Sequence, residues 1–165
     1  MKPIQLLASL GFIALASAFD CSVPHNAPAA YQNEQKPRDL LKQNGISVNL
    51  GCQNAQANLA QTCLAGTEIV TIGVVISLQK LLPSNCDPIV VTGAAEVYPH
   101  GATSTHAKGQ ALDLRMTSCL SQYIVNNMQY QGLTAGTKQK YYKSGSGNFY
   151  LNEGTHWHLQ VCQNS

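Results

Sequence analysis

The sequence predicts one disulfide-stapled domain of mixed helix and strand, and three observations carry that expectation. The chain has 165 residues. Met1-Lys2 precedes an apolar run from Ile4 to Ala18 that ends Ala16-Ser17-Ala18, the pattern of a secretory signal peptide with an Ala-x-Ala cleavage site. Removing residues 1–18 leaves 165 − 18 = 147, which suits one domain with one core. All six cysteines, Cys21, Cys52, Cys63, Cys86, Cys119 and Cys162, lie beyond that cut. An even count in an exported chain reads as three disulfides, and fifteen pairings are open. Thiol ligation of a metal is disfavoured because no Cys-x-x-Cys spacing occurs. Finally, apolar stretches of helix and strand length follow one another along the chain.

Residues 19–64 read as an N-terminal arm and disulfide-rich lead-in, and residues 65–165 as the functional core. From Phe19 to about Arg38 the chain is polar and contains Pro24, Pro28 and Pro37, as expected of a disulfide-tethered arm. Ile46-Ser47-Val48 offers a short strand, and the Asn/Gln/Ala-rich stretch from Gln53 to Thr62 a loop or a short helical turn. A buried helix is predicted from Thr67 to Leu82. Thr67 can cap it, Glu68 lies in its first turn, Pro83 follows its end, and apolar residues occupy nearly all its sides. Pro88 to Val97 reads as a core strand and Gln110 to Arg115 as another. Thr117 or Ser118 can cap a helix running to about Met128, with Leu120 and Ile124 on one face. The Gly/Ser/Lys/Tyr-rich stretch from Gly132 to Gly147 is expected as a loop or hairpin tip, and Phe149 to Val161 as the closing strands.

Composition excludes some functions. Charged residues make up 11%, the formal net charge is +2 and the pI about 8.2. No Lys/Arg run is present, so no nucleic-acid partner is expected, while mild basicity does not oppose an acidic wall polymer. The signal-like run is too short for a comfortable membrane span. The mature protein is therefore expected to be secreted, free of the membrane and monomeric.

The chemistry concentrates in two short segments. The chain holds five His, four Asp and four Glu. Ser104-Thr105-His106-Ala107-Lys108-Gly109-Gln110-Ala111-Leu112-Asp113 and Glu153-Gly154-Thr155-His156-Trp157-His158 together take three His, one Asp and one Glu. Neutral imidazole and carboxylate are the ligands of a zinc ion that keeps one position open for water. A tight turn at Gly109, which accepts φ > 0 at little cost, folds His106 and Asp113 back toward one point. His156, His158 and Gln160 alternate with Trp157, Leu159 and Val161, so one face of a strand is polar and the other apolar. Ser104 braces the turn before His106, and Trp157 belongs to the core. Glu96 and His100 flank the first motif and are candidates for lining a substrate groove; a strand-end salt bridge is the competing reading.

The pattern Ser104-x-His106-x-x-Gly109-x-Ala111-x-Asp113 resembles the signature of the zinc D-Ala-D-Ala carboxypeptidase and dipeptidase superfamily, whose fold is shared by hedgehog domains. Glu153-x-x-His156 is similar to the acid-x-x-His of its dipeptidases. Thr92-Gly93-Ala94-Ala95-Glu96 and the Glu153-to-Trp157 end are similar to small secreted members with a Glu-x-x-His-Trp end. The resemblance covers roughly residues 65 to 162. It implies an α+β fold, with a small antiparallel sheet carrying the site and helices on the other face. It implies one Zn²⁺ per chain on His106, Asp113 and His156, with His158 the alternative ligand or a transition-state partner, and Glu153 as general base. The activity implied is that of a metallopeptidase cutting amide bonds of D-amino-acid-containing peptidoglycan peptides. Ala94, Ala95 and Glu96 stand where many members carry an Arg, which favours an endopeptidase or amine-reading enzyme over a carboxypeptidase. A catalytically silent zinc module that binds a protein partner, as hedgehog domains do, is the alternative.

Overall fold

A computed structural model describes residues 21, 29–57 and 60–162. The predicted signal peptide, 1–18, lies outside the described residues. Among the described residues the chain is α+β, with three helices and one seven-stranded sheet. In chain order the elements are α1 (Gln35–Gln43), β1 (Ser47–Val48), α2 (Ile69–Leu81), β2 (Val90–Gly93), β3 (Ala111–Arg115), α3 (Ser118–Asn127), β4 (Gln129–Leu133), β5 (Lys140–Lys143), β6 (Phe149–Asn152) and β7 (His156–Gln160). The sheet order is β1-β2-β3-β7-β6-β5-β4. The expected small antiparallel sheet is therefore larger and mixed: β1 runs parallel to β2, and the other neighbours are antiparallel. A parallel pair needs a long crossover, and α2 lies within the segment that joins β1 to β2.

Two local expectations are overturned. The polar arm contains α1, because Pro37 stands in the first turn, where a missing N–H loses no helical bond. Asn33 Oδ1 accepts from Lys36 N at 3.0 Å. At the other end Gly45 takes a positive φ of 75° while Ile46 N reaches back to Leu41 O. The stretch from Gly132 to Gly147 likewise contains a strand: β5 pairs with β4 on one side and β6 on the other.

α2 forms where expected, but Thr67 does not cap it. Thr67 is buried, and the first turn is tied to the chain at Gly109: Glu68 N and Thr71 Oγ1 both donate to Gly109 O, at 3.0 and 2.9 Å. α3 has the expected cap, Thr117 Oγ1 accepting from Leu120 N at 3.2 Å.

The core joins Leu41 of α1, Ile72, Val75 and Leu78 of α2, and Leu120 and Ile124 of α3 to Val91, Leu112, Leu114, Trp157 and Leu159 of the sheet. Trp157 is fully buried, and its Nε1–H donates to Ser121 Oγ on α3 at 3.0 Å. The alternation read along β7 thus holds: Trp157 and Leu159 face the helices, and His156 and His158 face away. Among the described residues no helix is long and apolar enough to cross a membrane.

The six cysteines form three disulfides, Cys21–Cys162, Cys52–Cys63 and Cys86–Cys119. Cys86–Cys119 links the segment before β2 to α3 across a separation of 33 residues. The entropy of closing such a loop in the unfolded chain corresponds to roughly 3–4 kcal/mol. The double variant Cys86→Ala/Cys119→Ala is expected to lose about that stability in urea unfolding at fixed pH. A loss below ~1 kcal/mol would show that this bridge contributes little.

Candidate metal centre

The outward face of β3 and β7 carries the site, and the register decides who meets whom. Asp113 stands opposite His158 and Arg115 opposite His156. On the other flank β2 meets β3 through a bulge: Val91 pairs with Leu114 and Gly93 with Asp113. One extra residue on β2 lets Val91 face the core while Gly93 faces the site. Gly93 must lack a side chain, because a Cβ there would stand 2.6 Å from Asp113 Oδ2. The sequence suggested no such role for it.

His106 is delivered by a turn clamped to the start of α2. Gly109 has φ 75°, as its place in the motif predicts, and a Cβ there would lie 2.1 Å from Gly66 O. Inside the turn Ser104 Oγ donates to Gly101 O at 2.7 Å and accepts from Ala107 N at 3.1 Å, the bracing expected of it. His106 is buried and donates Nδ1–H to Ala94 O at 2.7 Å. That bond aims Nε2 at the site and leaves it the lone pair when the ring is neutral.

Around Asp113 Oδ1 the donors crowd. His106 Nε2 lies 3.2 Å away, His158 Nδ1 3.2 Å, and His156 Nε2 3.4 Å, while His106 Nε2 and His158 Nδ1 are 3.0 Å apart. Two lone-pair-bearing nitrogens and a carboxylate oxygen at such distances repel unless positive charge sits among them. A tetrahedral ion with Zn–N bonds of about 2.0–2.1 Å holds its donors roughly 3.3–3.4 Å apart, close to the separations seen here. Without metal, protons meet the same demand. Burial alone would raise the Asp113 carboxyl, but hydrogen bonds from His106 and His158 and the charges of His106 and His156 hold it far below the usual carboxylate range.

His100, His106 and Asp113 also bring one ligand atom each within 4.8 Å of one another, a His-His-Asp group that could hold a metal ion. The rings of His100 and His106 are stacked, however, with centroids 3.6 Å apart and planes at 14°. An ion midway would sit about half of that 3.6 Å out of each ring plane, nearly the whole of a ~2.1 Å bond, so the in-plane lone pairs would miss it. His158 Nδ1 completes the triangle better; its ring meets that of His106 at 64°.

Glu96 does not line an open groove. It is 1% exposed, and its two oxygens accept from Ala94 N at 2.9 Å and Cys63 N at 2.8 Å. The buried carboxylate thus fixes the loop after β2 and faces His100 Nε2 at 3.4 Å. His100 Nε2 is in turn 3.6 Å from Asp113 Oδ2.

Glu153 is brought to the rim by the turn between β6 and β7, where Gly154 has φ 85°. Its Oε2 lies 3.0 Å from His156 Nε2, whose Nδ1 meets Thr155 Oγ1 at 2.9 Å. His156 is thus shared between Glu153 and Asp113. No family model, curated protein or solved structure matches this chain, so the class rests on fold and site together: an α+β chain with a His/carboxylate cluster that could hold a metal ion.

The hydrogen bond to Glu153 raises the His156 pKa above 6.5 against the opposing effect of burial, and Asp113 and Glu153 add to the rise. The hydrogen bond from His156 lowers Glu153 below 4.5. The raised histidine stabilises the fold fully below 6.5 and loses that contribution as pH rises through its folded value. The lowered carboxylate stabilises above 4.5 and loses its contribution as pH falls through its folded value. The pair therefore contributes most between these two ordinary values. In metal-free protein, NMR titration of the imidazoles should place the His156 midpoint above 6.5, and Glu153→Gln should bring it back toward 6.5. An unchanged midpoint would remove Glu153 as its partner.

Proposed function

We propose that the protein is a secreted zinc metallopeptidase that hydrolyses amide bonds of peptidoglycan stem peptides. The observation that carries it is the triangle of His106 Nε2, Asp113 Oδ1 and His158 Nδ1, with sides of 3.0, 3.2 and 3.2 Å, bordered by a half-exposed carboxylate–imidazole pair that is not needed to complete it. The resemblance of the two motifs supports the substrate class, and the predicted signal peptide with three disulfides supports export.

In this reading His106, Asp113 and His158 hold the zinc, and His158 is preferred to His156 because its Nδ1 lies 3.0 Å from His106 Nε2 and 3.2 Å from Asp113 Oδ1, against 3.4 Å from His156 Nε2 to that oxygen. The Nδ1–H bond from His106 to Ala94 O supports ligation through the opposite nitrogen, as metal-bound imidazoles ordinarily arrange it. Bound zinc would supply Lewis acidity at the scissile carbonyl and lower the pKa of adjacent water toward ~7. Glu153 accepts the proton of the attacking water as the new C–O bond forms. It returns that proton to the nitrogen when the C–N bond breaks. His156, fixed through Nδ1 at Thr155 Oγ1, orients the Glu153 carboxylate through Nε2.

Metal analysis should find about one zinc per chain, lost in His106→Ala, Asp113→Ala and His158→Ala and kept in His156→Ala. Zinc kept in His158→Ala and lost in His156→Ala would move the third ligand to His156. Peptide release from peptidoglycan, measured by mass spectrometry at matched zinc content, should fall ~10²–10⁴-fold in Glu153→Gln. Equal rates would remove Glu153 as the base. No release by the zinc-loaded wild type would favour the silent module that binds a protein partner.

A further inference from the structure

The chain has two arginines. Arg38 is spent on structure, pairing with Glu34 at 2.6 Å and donating to Leu50 O at 3.2 Å and to Thr62 O. Arg115 is exposed, and among the described residues its guanidinium has no ion-pair partner. Its place in the sheet is specific. It stands directly opposite His156 and two residues beyond Asp113, which itself stands opposite His158. Directly opposed residues of an antiparallel pair share a face. The 3.4 Å contact between His156 and Asp113 shows which face that is. Arg115 is therefore the fourth corner of a square whose other corners are Asp113, His156 and His158.

Resting on the peptidase reading above, we propose that Arg115 binds a carboxylate of the substrate and so selects peptides that carry one close to the scissile amide. Along a strand, two residues span about 6.6–6.8 Å. An extended peptide advances about 3.3–3.6 Å per residue. A substrate whose amide lies over the His106–Asp113–His158 triangle thus brings a carboxylate one or two residues away over Arg115. A guanidinium receives a carboxylate through two parallel N–H bonds and keeps its charge at any working pH. The only carboxylate of the β6–β7 turn, Glu153, is engaged by His156 at 3.0 Å and leaves Arg115 to the ligand. Either a chain-terminal carboxylate or an acidic side chain fits this chemistry.

The test compares zinc-loaded wild type, Arg115→Gln and Arg115→Lys on matched peptides. One pair ends in a free carboxylate or its carboxamide; a second carries D-Glu or D-Gln beside the scissile bond. The wild-type preference in kcat/KM for the acid member of one pair should be roughly 10–100-fold. It should fall toward one in Arg115→Gln and lie between in Arg115→Lys, which offers a point charge without the fork. The pair that responds names the source of the carboxylate. A second readout needs no turnover: the Arg115 Nε–H resonance should shift with N-acetyl-D-alanyl-D-alanine or an N-acetyl-D-Glu peptide and stay put with the matching amides. That shift without any cleavage would sink the peptidase reading and leave the carboxylate site standing. Cleavage with the same acid-to-amide ratio in wild type and Arg115→Gln would overturn the inference, and so would a resonance indifferent to the acids.

Discussion

Everything on the polar face of this sheet answers to one buried carboxylate. Asp113 is withdrawn from water yet remains ionised, and a lone buried charge is tolerated only when partners replace its hydration. Those partners are four imidazoles from two segments distant in sequence: His100 and His106 from the loop after β2, His156 and His158 from β7. The supporting structure is local and specific. Gly93 leaves room for one oxygen, the β2 bulge turns that glycine toward it, and Ala94 O fixes the His106 ring. Glu96, itself buried, holds the loop on which His100 rides.

The same strands serve two chemistries. In β7, neighbouring residues point to opposite sides, so Trp157 and Leu159 fill the space under α3 while His156 and His158 stand over Asp113. A slip of register by one residue would bury imidazoles and expose an indole, which ties the position of the imidazoles to the packing of the core. The hydrogen bond from Trp157 to Ser121 and the clamp of Gly109 on the first turn of α2 secure the two histidine-bearing segments to different helices.

Much of this was legible in the sequence, for reasons that can be named. The alternation from His156 to Val161 predicted a two-faced strand, and Gly109 marked the turn that returns His106 toward Asp113. Thr117 marked the start of α3. What escaped notice depended on contacts with residues far away in sequence. Pro37 read as a break, although a proline in a first turn permits α1. Val48 showed no sign of joining the sheet in parallel. Thr67 looked like a cap, but Gly109 O occupies that end of α2. Glu96 was legible only as either a groove residue or a strand-end salt-bridge partner, because nothing in its neighbours reveals that Ala94 and Cys63 donate to it. The sequence named both His156 and His158 as candidates beside Asp113, and only the register with β3 reveals that His158 stands directly opposite Asp113 and His156 opposite Arg115.

The Cys21–Cys162 bridge, spanning 141 positions, has a topological consequence. It makes the backbone between those residues a closed ring. A single cut by a foreign protease, for instance in the exposed turn between β4 and β5, would open the ring without releasing a fragment. The two pieces would stay joined at the bridge and paired across the sheet, so β3 and β7 would keep their register. Two cuts would be needed to free a piece held only by non-covalent contacts. For a chain that meets foreign proteases, that is a resistance to digestion that comes from connectivity rather than from the strength of any contact.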